Sequence, residues 1–387
     1  MQSIMIPLSV PNFSGSEREY VLKAIEAEWV STGGEYVQLL EKKIAQYLGI
    51  DSAVACQSGT AGLHLALLLA GVKPGDEVIV PALTFIASIN PIKYIHAEPV
   101  FMDCDDTLNM DLEKLKDFLC NECDQLGNSL INRKTNKKIA AVVIVHVFGN
   151  MADVERLMEM AAKFNLKVIE DATEALGTFR TKGTHMGKFA GTVGDFGVYS
   201  FNGNKIITTG GGGMLVAKDP ALAEKARYLS TQAKDDSVYY IHNDIGYNYR
   251  MTNLQGALGV AQLEQLDNFI LIKRKNYLLY TKLLQEIEGL TLLPFNSGTR
   301  PNYWFYSLVI DEDKYGEDRD GVLNRLYRHQ IQSRPVWRLN HLQHPYQCNQ
   351  AYKIEKAYSC VDKILNIPCS TNLKKEDIEK VIEALKK

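Results

Sequence analysis

The amino-acid sequence predicts an α/β protein built on a mostly parallel β-sheet, followed by a smaller α+β domain. Over the first two-thirds of the chain, short β-rich runs alternate with longer helical patterns, which is typical of βαβ units. Several runs are almost wholly apolar, such as AAVVIV at 140–145, as expected for strands buried on both faces. The alternation stops near residue 253, where a long helical pattern begins. We therefore expect a large domain over 1–253 and a small domain over 254–387.

Individual elements follow from the periodicity of apolar residues. The predicted strands cover residues 52–56, 77–80, 99–103, 140–145, 167–170, 196–200 and 213–217. The predicted helices include 61–69, 154–164 and 254–283, and the last is followed by a strand in YWFYSLVI (303–310) and a helix ending at 330. Residues 121–138 are polar and lack periodicity, which predicts a surface insertion. Because ligands of open α/β sheets gather at the carboxyl ends of strands, we expect the site residues in post-strand loops.

Composition places the chain among ordinary soluble globular proteins, with 46% hydrophobic and 23% charged residues. The formal net charge of −3 lacks the basic excess of a nucleic-acid-binding protein. The N-terminus shows no cationic segment followed by an apolar one, and no apolar run approaches the ~18 residues of a membrane span. These features predict a cytoplasmic protein with no nucleic-acid and no membrane partner.

The cysteines do not indicate a disulfide framework or a metal site. Seven cysteines are an odd number, spread thinly over a long chain, so we expect reduced thiols. Cys120 and Cys123 form a CxxC pair, but no second pair lies at zinc-like spacing, and the flanking LEKLKDFLCNECDQL is typical of a helix. The histidines outside RPVWRLNH do not cluster at metal-ligand spacing either. We therefore predict no metal.

The first motif with chemical content is SFNGNKIITTGGGG (200–213), which follows a predicted strand and ends in four consecutive glycines. Glycines allow positive φ and close backbone approach. Lys205 would then stand beside a segment able to pack against a planar ligand or a neighbouring chain. The alternative is a tight hairpin with a solvated Lys205.

The second motif is VIEDATEALG (168–177), in which an apolar strand delivers Glu170 and Asp171 at its carboxyl end. A buried carboxylate there needs a cationic partner, because an unpaired buried charge is costly. A pyridinium nitrogen would provide one. An exposed acidic loop, or Asp171 capping the helix that follows, is an equally good interpretation of this motif alone.

Two further segments could contribute to the same site. QSGTAGLHLAL (57–67) has a small-residue turn before a helix, and the backbone N–H groups of a helix N-terminus form an anion site, although most such turns bind nothing. In PALTFIAS (81–88), Phe85 follows a strand and could offer a ring face to a ligand. For Phe85 in isolation, a place in the apolar core is the better interpretation.

Together the four motifs resemble the DegT/DnrJ/EryC1/StrS sugar aminotransferases, a branch of the fold-type-I pyridoxal-phosphate enzymes. The similarity runs nearly from end to end: the segments at 6–49, RMTNLQGALGVAQLEQLD (250–267) and RPVWRLNH (334–341) fall where family counterparts do. The resemblance implies the α/β fold of fold-type-I pyridoxal-phosphate-dependent transferases, with pyridoxal 5′-phosphate as cofactor. It also implies transfer of an amino group from L-glutamate to a nucleotide-linked keto-sugar.

The resemblance assigns roles to individual residues by position. Lys205 matches the catalytic lysine that holds pyridoxal phosphate as a Schiff base, and Asp171 matches the carboxylate paired with the pyridine nitrogen. The residues that contact the cofactor phosphate in the family are matched by Gly59, Thr60, Ala61 and Ser200. The aromatic residue that stacks on the cofactor ring is matched by Phe85. Glu174 falls near the 3′-oxygen of the cofactor, at a position where many members have glutamine.

The resemblance also implies a homodimer with shared active sites. GYNYR (246–250) is similar to the family segment that crosses a dimer interface, which places Asn248 near the partner's cofactor phosphate. Candidates to bind the nucleotide and diphosphate of the substrate are Ser31, Thr32, Arg250, Arg334, Trp337, Arg338 and His341. For Arg338 and His341, a surface or purely structural role is an equal alternative. One departure is clear: the family usually has Gly-Glu-Gly-Gly after the lysine, and Gly211 replaces that glutamate.

The substrate branch follows from two segments. FNGNKIITTGGGGML and GYNYR look most like the branch that aminates C4 of UDP-linked 4-keto-6-deoxy-N-acetylglucosamine, on the way to bacillosamine or legionaminic acid. We therefore expect this UDP-sugar as substrate. The alternatives are a GDP- or dTDP-linked 3- or 4-keto-sugar, or a non-catalytic regulator that binds pyridoxal phosphate. Lys205 argues against the sugar 3-dehydrase reaction, because those relatives carry histidine in its place.

Overall fold

The computed structural model describes residues 5–386, so the outer ends of the two predicted domains, 1–4 and 387, lie outside the described residues. The helices are, in chain order, α1 (Glu17–Glu26), α2 (Glu35–Leu48), α3 (Gly59–Leu69), α4 (Asn90–Tyr94), α5 (Leu112–Asn121), α6 (Val154–Phe164), α7 (Pro220–Ser230), α8 (Asn253–Leu284), α9 (Glu312–Tyr315), α10 (Arg319–Arg328), α11 (Lys356–Lys363) and α12 (Lys375–Leu385). No helix within 5–386 has the length and apolar character needed to cross a bilayer.

The strands form one large sheet and two small ones. In chain order they are β1 (Val54–Cys56), β2 (Glu77–Pro81), β3 (Glu98–Met102), β4 (Cys123–Leu126), β5 (Ser129–Asn132), β6 (Lys137–Val145), β7 (Lys167–Asp171), β8 (Phe179–Arg180), β9 (Phe196–Ser200), β10 (Gly213–Ala217), β11 (Leu290–Leu292), β12 (Thr299–Arg300), β13 (Tyr306–Ile310), β14 (Arg334–Pro335), β15 (Ala351–Tyr352) and β16 (Ile364–Ile367). All seven strands predicted for the first two-thirds of the chain are present, within a few residues of the expected bounds.

The large sheet has the strand order β1-β10-β9-β7-β6-β2-β3-β15. The pairs from β9 through β7, β6 and β2 to β3 are parallel, whereas β10 is antiparallel to both of its neighbours, β1 and β9. Every residue of β2, and every residue of β7 after Lys167, is buried. This arrangement confirms the predicted α/β class with a mostly parallel sheet.

The region after α5 differs from the sequence-based expectation. The helix predicted around the CxxC pair ends at Asn121, and Cys123 already begins β4. β4 and β5 form an antiparallel hairpin, and β5 pairs with β6, so much of 121–138 extends the large sheet. Three of the four residues of β4 are exposed, which removes the apolar alternation that would have marked the strand in the sequence.

The chain after residue 253 builds a second sheet but returns to the first. α8 packs on α1 and α2, and Thr252 caps it with a reciprocal pair of hydrogen bonds to Gln255. β11, β13, β16 and β14 form a separate four-stranded sheet. β15, however, pairs with β3 at the edge of the large sheet. The domain boundary at 253/254 therefore stays a prediction, and one segment beyond it belongs to the large sheet.

Asp103, which directly follows β3, holds the segment after β15 in place by hydrogen bonds to residues 355–357. Its buried carboxylate accepts the N–H groups of Glu355, Lys356 and Ala357 at the start of α11, each at 2.8 Å, and the ammonium of Lys114 at 2.7 Å. Burial alone would raise the pKa of Asp103, but Lys114 and the backbone N–H groups outweigh burial and lower the pKa.

We predict that Asp103→Ala lowers the free energy of unfolding by about 3 kcal/mol, because it removes five hydrogen bonds to a buried charge, one of them from the N–H of Cys104, and leaves donors unpaired. Since the folded pKa is lowered, this stabilisation is present above the ordinary carboxyl pKa and is lost as the pH falls through the folded pKa. Urea unfolding near neutral pH and in acid measures both effects. The control is Asp106→Ala, whose side chain is 84% exposed. Equal stabilities of the two variants would contradict the prediction.

Candidate active site

A cavity of about 360 Å³ lies at the carboxyl ends of the strands of the large sheet. The loops after β1, β2, β7 and β9 line it, which agrees with the expected position of the site in an α/β sheet. Eight of the residues predicted from the sequence share this cavity: Gly59, Thr60, Phe85, Asp171, Glu174, Ser200, Lys205 and Trp337.

Asp171 ends β7 and is 1% exposed, so it does not belong to an exposed acidic loop. Its Oδ1 accepts the N–H of Thr173 at 3.1 Å, and its Oδ2 accepts the hydroxyl of Ser88 at 2.6 Å. Ser88 in turn lies 3.1 Å from the hydroxyl of Thr84. Both donors to the carboxylate are neutral, which suits a site where a cationic ligand group completes the charge balance.

Lys205 follows β9 in a turn closed by a hydrogen bond from its own N–H to the carbonyl of Asn202. Its Nζ lies 3.6 Å from Oε1 of Glu174 and 4.1 Å from the centre of the Trp304 ring. The side chain is only 12% exposed. Lys205 is therefore a cavity lysine and not the solvated residue of the alternative interpretation.

Glu174 is a buried carboxyl group next to this lysine. Its Oε2 accepts the N–H of Phe148 at 2.7 Å. Phe148 itself has a φ of 55°, which is uncommon for a residue other than glycine. Burial raises the pKa of Glu174 to about 7, although Lys205 opposes the rise. Near neutral pH this carboxyl group can therefore hold or release a proton beside Lys205.

The N-terminus of α3 forms a narrow cradle beside Ser200. Ser58 caps the helix, and its hydroxyl accepts the N–H of Ala61 at 3.0 Å, so Ala61 is bonded within the helix and does not line the cavity. A Cβ on Gly59 would lie 2.9 Å from Thr173 and 3.1 Å from Ser200. Gly59 therefore leaves a space open at the N-terminus of α3, next to the side chains of Thr173 and Ser200. The N–H groups of a helix N-terminus can bind a phosphate in such a space.

Besides Ala61, seven predicted residues lie outside the cavity. Arg250 forms an ion pair with buried Glu41, which also binds Arg227 at 2.6 Å. His341 is partly buried, its Nε2 lies 3.0 Å from the hydroxyl of Tyr358, and burial lowers its pKa. Four more, all exposed, are Ser31, Thr32, Asn248 and Arg334. Arg338 is exposed as well, in line with the surface alternative. Within one copy of the chain, Trp337 is therefore the one predicted substrate residue that lines the cavity, among the residues that the structure describes.

Sequence reasoning missed two residues that shape the cavity. Ser88 stands in the PALTFIAS motif, three residues after Phe85, so the motif contained it without showing its contact with Asp171. Trp304 was assigned to a strand, but β13 begins at Tyr306, and Trp304 lies in the loop before it. No local pattern distinguishes a tryptophan in such a loop from a core residue. Within 5–386, no group of three His, Cys, Asp or Glu residues could hold a metal ion.

A buried carboxylate, an open helix N-terminus beside Ser200 and a largely covered lysine around one cavity, on this sheet, define a fold-type-I pyridoxal-phosphate transferase. The family model described as the DegT/DnrJ/EryC1/StrS aminotransferase family matches residues 11–386. The chain belongs to that family and is a pyridoxal-phosphate-dependent sugar aminotransferase. The fold, the cofactor and the enzyme class expected from the sequence are confirmed.

Individual relatives agree with this assignment. The chain is 38% identical to the GDP-perosamine synthase of Caulobacter vibrioides over 98% of its length and 97% of the relative, and 36% identical to the GDP-perosamine synthase of Escherichia coli O157:H7 with coverage of 98% and 97%. The crystal structure of the aminotransferase TlmJ from Streptoalloteichus hindustanus superposes with a TM-score of 0.87 at 28% identity, covering 98% of both chains.

We predict that titration of Glu174 changes the stability of the cofactor-free protein. Its folded pKa is raised, so its stabilising contribution is fully present below the unfolded pKa and is lost as the pH rises to about 7. Between mildly acidic and mildly alkaline pH, the free energy of unfolding of wild type should fall relative to Glu174→Gln by up to about 3 kcal/mol. Urea unfolding measures this, with the exposed Glu159→Gln as control. A difference between wild type and Glu174→Gln that does not change with pH would contradict the raised pKa.

Proposed function

We propose that this chain transfers an amino group from L-glutamate to C4 of a GDP-linked 4-keto-sugar. The observation that carries the aminotransferase chemistry is that Lys205 and Asp171 line the same cavity. The nucleotide rests on the relatives: two that match nearly the whole chain are GDP-perosamine synthases. The UDP-linked sugar expected from the sequence finds no support in these relatives, so we keep it as the rival substrate.

Four of the chain's residues fit the parts of the cofactor. When bound, pyridoxal phosphate supplies a ring that takes up the electrons left on the amino donor's α-carbon when that carbon loses a proton. Lys205 would hold the cofactor covalently, and Asp171 would hold its ring nitrogen in the protonated state. Gly59 and Ser200 would hold its phosphate at the N-terminus of α3.

The remaining cavity residues serve proton movement and water exclusion. Lys205, once released from the cofactor, would move a proton between the donor's α-carbon and C4′ of the cofactor as general acid and base. The carboxyl group of Glu174, 3.6 Å from Nζ, would keep the released ammonium in the cavity. The rings of Phe85 and Trp337, with centroids 6.5 Å apart, would cover the cofactor ring and exclude water.

Charge balance supports a site shared between two copies of the chain. Among the described residues that line the cavity, Lys205 is the one lysine or arginine, and the carboxyl groups are those of Asp171 and Glu174. The carboxylates of glutamate and the diphosphate of the sugar nucleotide need further donors or cations. Asn248 is exposed and lies outside this cavity, as a residue that serves the partner's cofactor phosphate would.

We predict that, among GDP-, UDP- and dTDP-linked 3-keto and 4-keto sugars, a GDP-linked 4-keto-sugar shows the highest kcat/KM with glutamate as donor. Mass spectrometry of the amino-sugar products measures the ranking. Lys205→Ala should be inactive and should lose the yellow colour of the lysine-bound cofactor, whereas the exposed control Lys218→Ala should keep both. A UDP- or dTDP-linked sugar that outran the GDP compound would overturn the nucleotide assignment. A wild type that stayed colourless with pyridoxal phosphate would overturn the enzyme mechanism.

We predict that mixed dimers of Lys205→Ala and Asn248→Ala recover activity that each variant lacks alone. One of the two sites in a mixed dimer would combine an intact Lys205 with an intact Asn248 from the other chain. Random reassortment of equal amounts should restore about a quarter of wild-type sites. Activity after dissociation and reassociation measures this, and the unmixed variants treated alike are the controls. Mixed dimers verified by mass spectrometry but inactive would contradict the shared site.

A further inference from the structure

We infer that Trp304 is a positioning residue for Lys205, because its indole ring is the face against which the lysine ammonium rests when the lysine is not bound to the cofactor. The inference rests on the proposed role of Lys205. Nζ lies 4.1 Å from the ring centre, and Trp304, only 2% exposed, lines the same cavity. The quadrupole of an indole ring attracts a cation over its face, and the attraction grows where water is excluded.

The ring is fixed to the segment that carries the lysine. The indole N–H donates to the carbonyl of Asn204, the residue before Lys205, at 2.8 Å. The ring stacks on Phe305 with centroids 4.0 Å apart and an interplanar angle of 9°. The carbonyl of Trp304 accepts the ammonium of buried Lys273 at 2.9 Å. These contacts therefore hold the Trp304 ring at a fixed position relative to the backbone of Lys205.

Asn302 joins the ring to the carboxyl group on the other side of the lysine. Its Oδ1 accepts the N–H of Trp304 at 3.0 Å, and its Nδ2 donates to the backbone carbonyl of Glu174 at 2.9 Å. Tyr303, between Asn302 and Trp304, has a φ of 55°, a costly conformation for a residue other than glycine. The turn that places the indole ring against Lys205 therefore contains a strained backbone conformation at Tyr303.

A fixed position matters because the proposed mechanism releases Lys205 from the cofactor and takes it back in each cycle. A free lysine side chain has several rotatable bonds, so most of its positions are useless for proton transfer. The Trp304 face and the Glu174 carboxyl group restrict it to a small region of the cavity. Loss of the ring should therefore slow proton transfer more than it weakens substrate binding.

The first test measures the amine in the cofactor-free, full-length protein. A short pulse of acetic anhydride, read by peptide mass spectrometry, should label Lys205 several-fold faster in Trp304→Leu than in wild type, with Trp304→Phe in between. Buried Lys273, which binds the Trp304 carbonyl, is the internal control and should label as in wild type. Labelling of Lys205 at the wild-type rate, or of both lysines together, would overturn the inference. If Trp304→Leu does not fold, Trp304→Phe must show the faster labelling by itself.

The second test measures catalysis by the cofactor-loaded enzyme. Trp304→Leu should lower kcat about tenfold with a much smaller change in the KM for the donor, and the isotope effect with α-deuterated glutamate should increase. Unchanged kcat and isotope effect in a yellow variant would overturn the inference and leave the proposed function intact. A wild type that does not turn yellow would overturn the proposed function itself.

Discussion

The buried carboxylate of Asp171 constrains the rest of the cavity, because a charge removed from water must be met by donors in fixed positions. The hydroxyl of Ser88, in the loop after β2, donates a hydrogen bond to one carboxylate oxygen of Asp171. The N–H of Thr173, in the loop after β7, donates to the other oxygen. β6 lies between these two strands in the sheet. The Ser88–Asp171 hydrogen bond therefore crosses the carboxyl end of β6, where Val145 lines the cavity, and holds two non-adjacent strand ends at a set separation.

The adjacent carboxyl groups of Glu170 and Asp171 lie in different surroundings, and only Asp171 lines the cavity. Glu170 is fully buried away from the cavity, where its Oε2 lies 2.9 Å from Nε2 of His146. It also accepts the N–H groups of Gly191, Val193 and Gly194. Burial would raise the pKa of Glu170, but His146 and these N–H groups lower it. Since successive side chains of a strand point to opposite faces, a structural and a cavity carboxylate stand side by side in the sequence.

Lys205 depends on residues that are far apart in the chain. Glu174 comes from the loop after β7, and Trp304 comes from the loop before β13 in the second sheet. The contact between Asn302 and Glu174 joins these two loops. The surroundings of the lysine are thus built jointly by the large sheet and by the chain that follows α8.

The sequence by itself determined seven strands of the large sheet, the family, the cofactor and the loops that line the cavity, because periodicity and contiguous motifs record what each short segment does. It could not determine the partner of Arg250, which lies 209 residues from Glu41 and is drawn to that buried charge. Nor could it identify Trp304 as a neighbour of Lys205, or the β4–β5 hairpin in a polar segment. The contacts of Arg250 and Lys205 were decided only by the tertiary structure, since they depend on which distant segments pack together and on how each buried charge is satisfied there. The hairpin is a local structure, but the exposed residues of β4 leave no apolar alternation in the sequence.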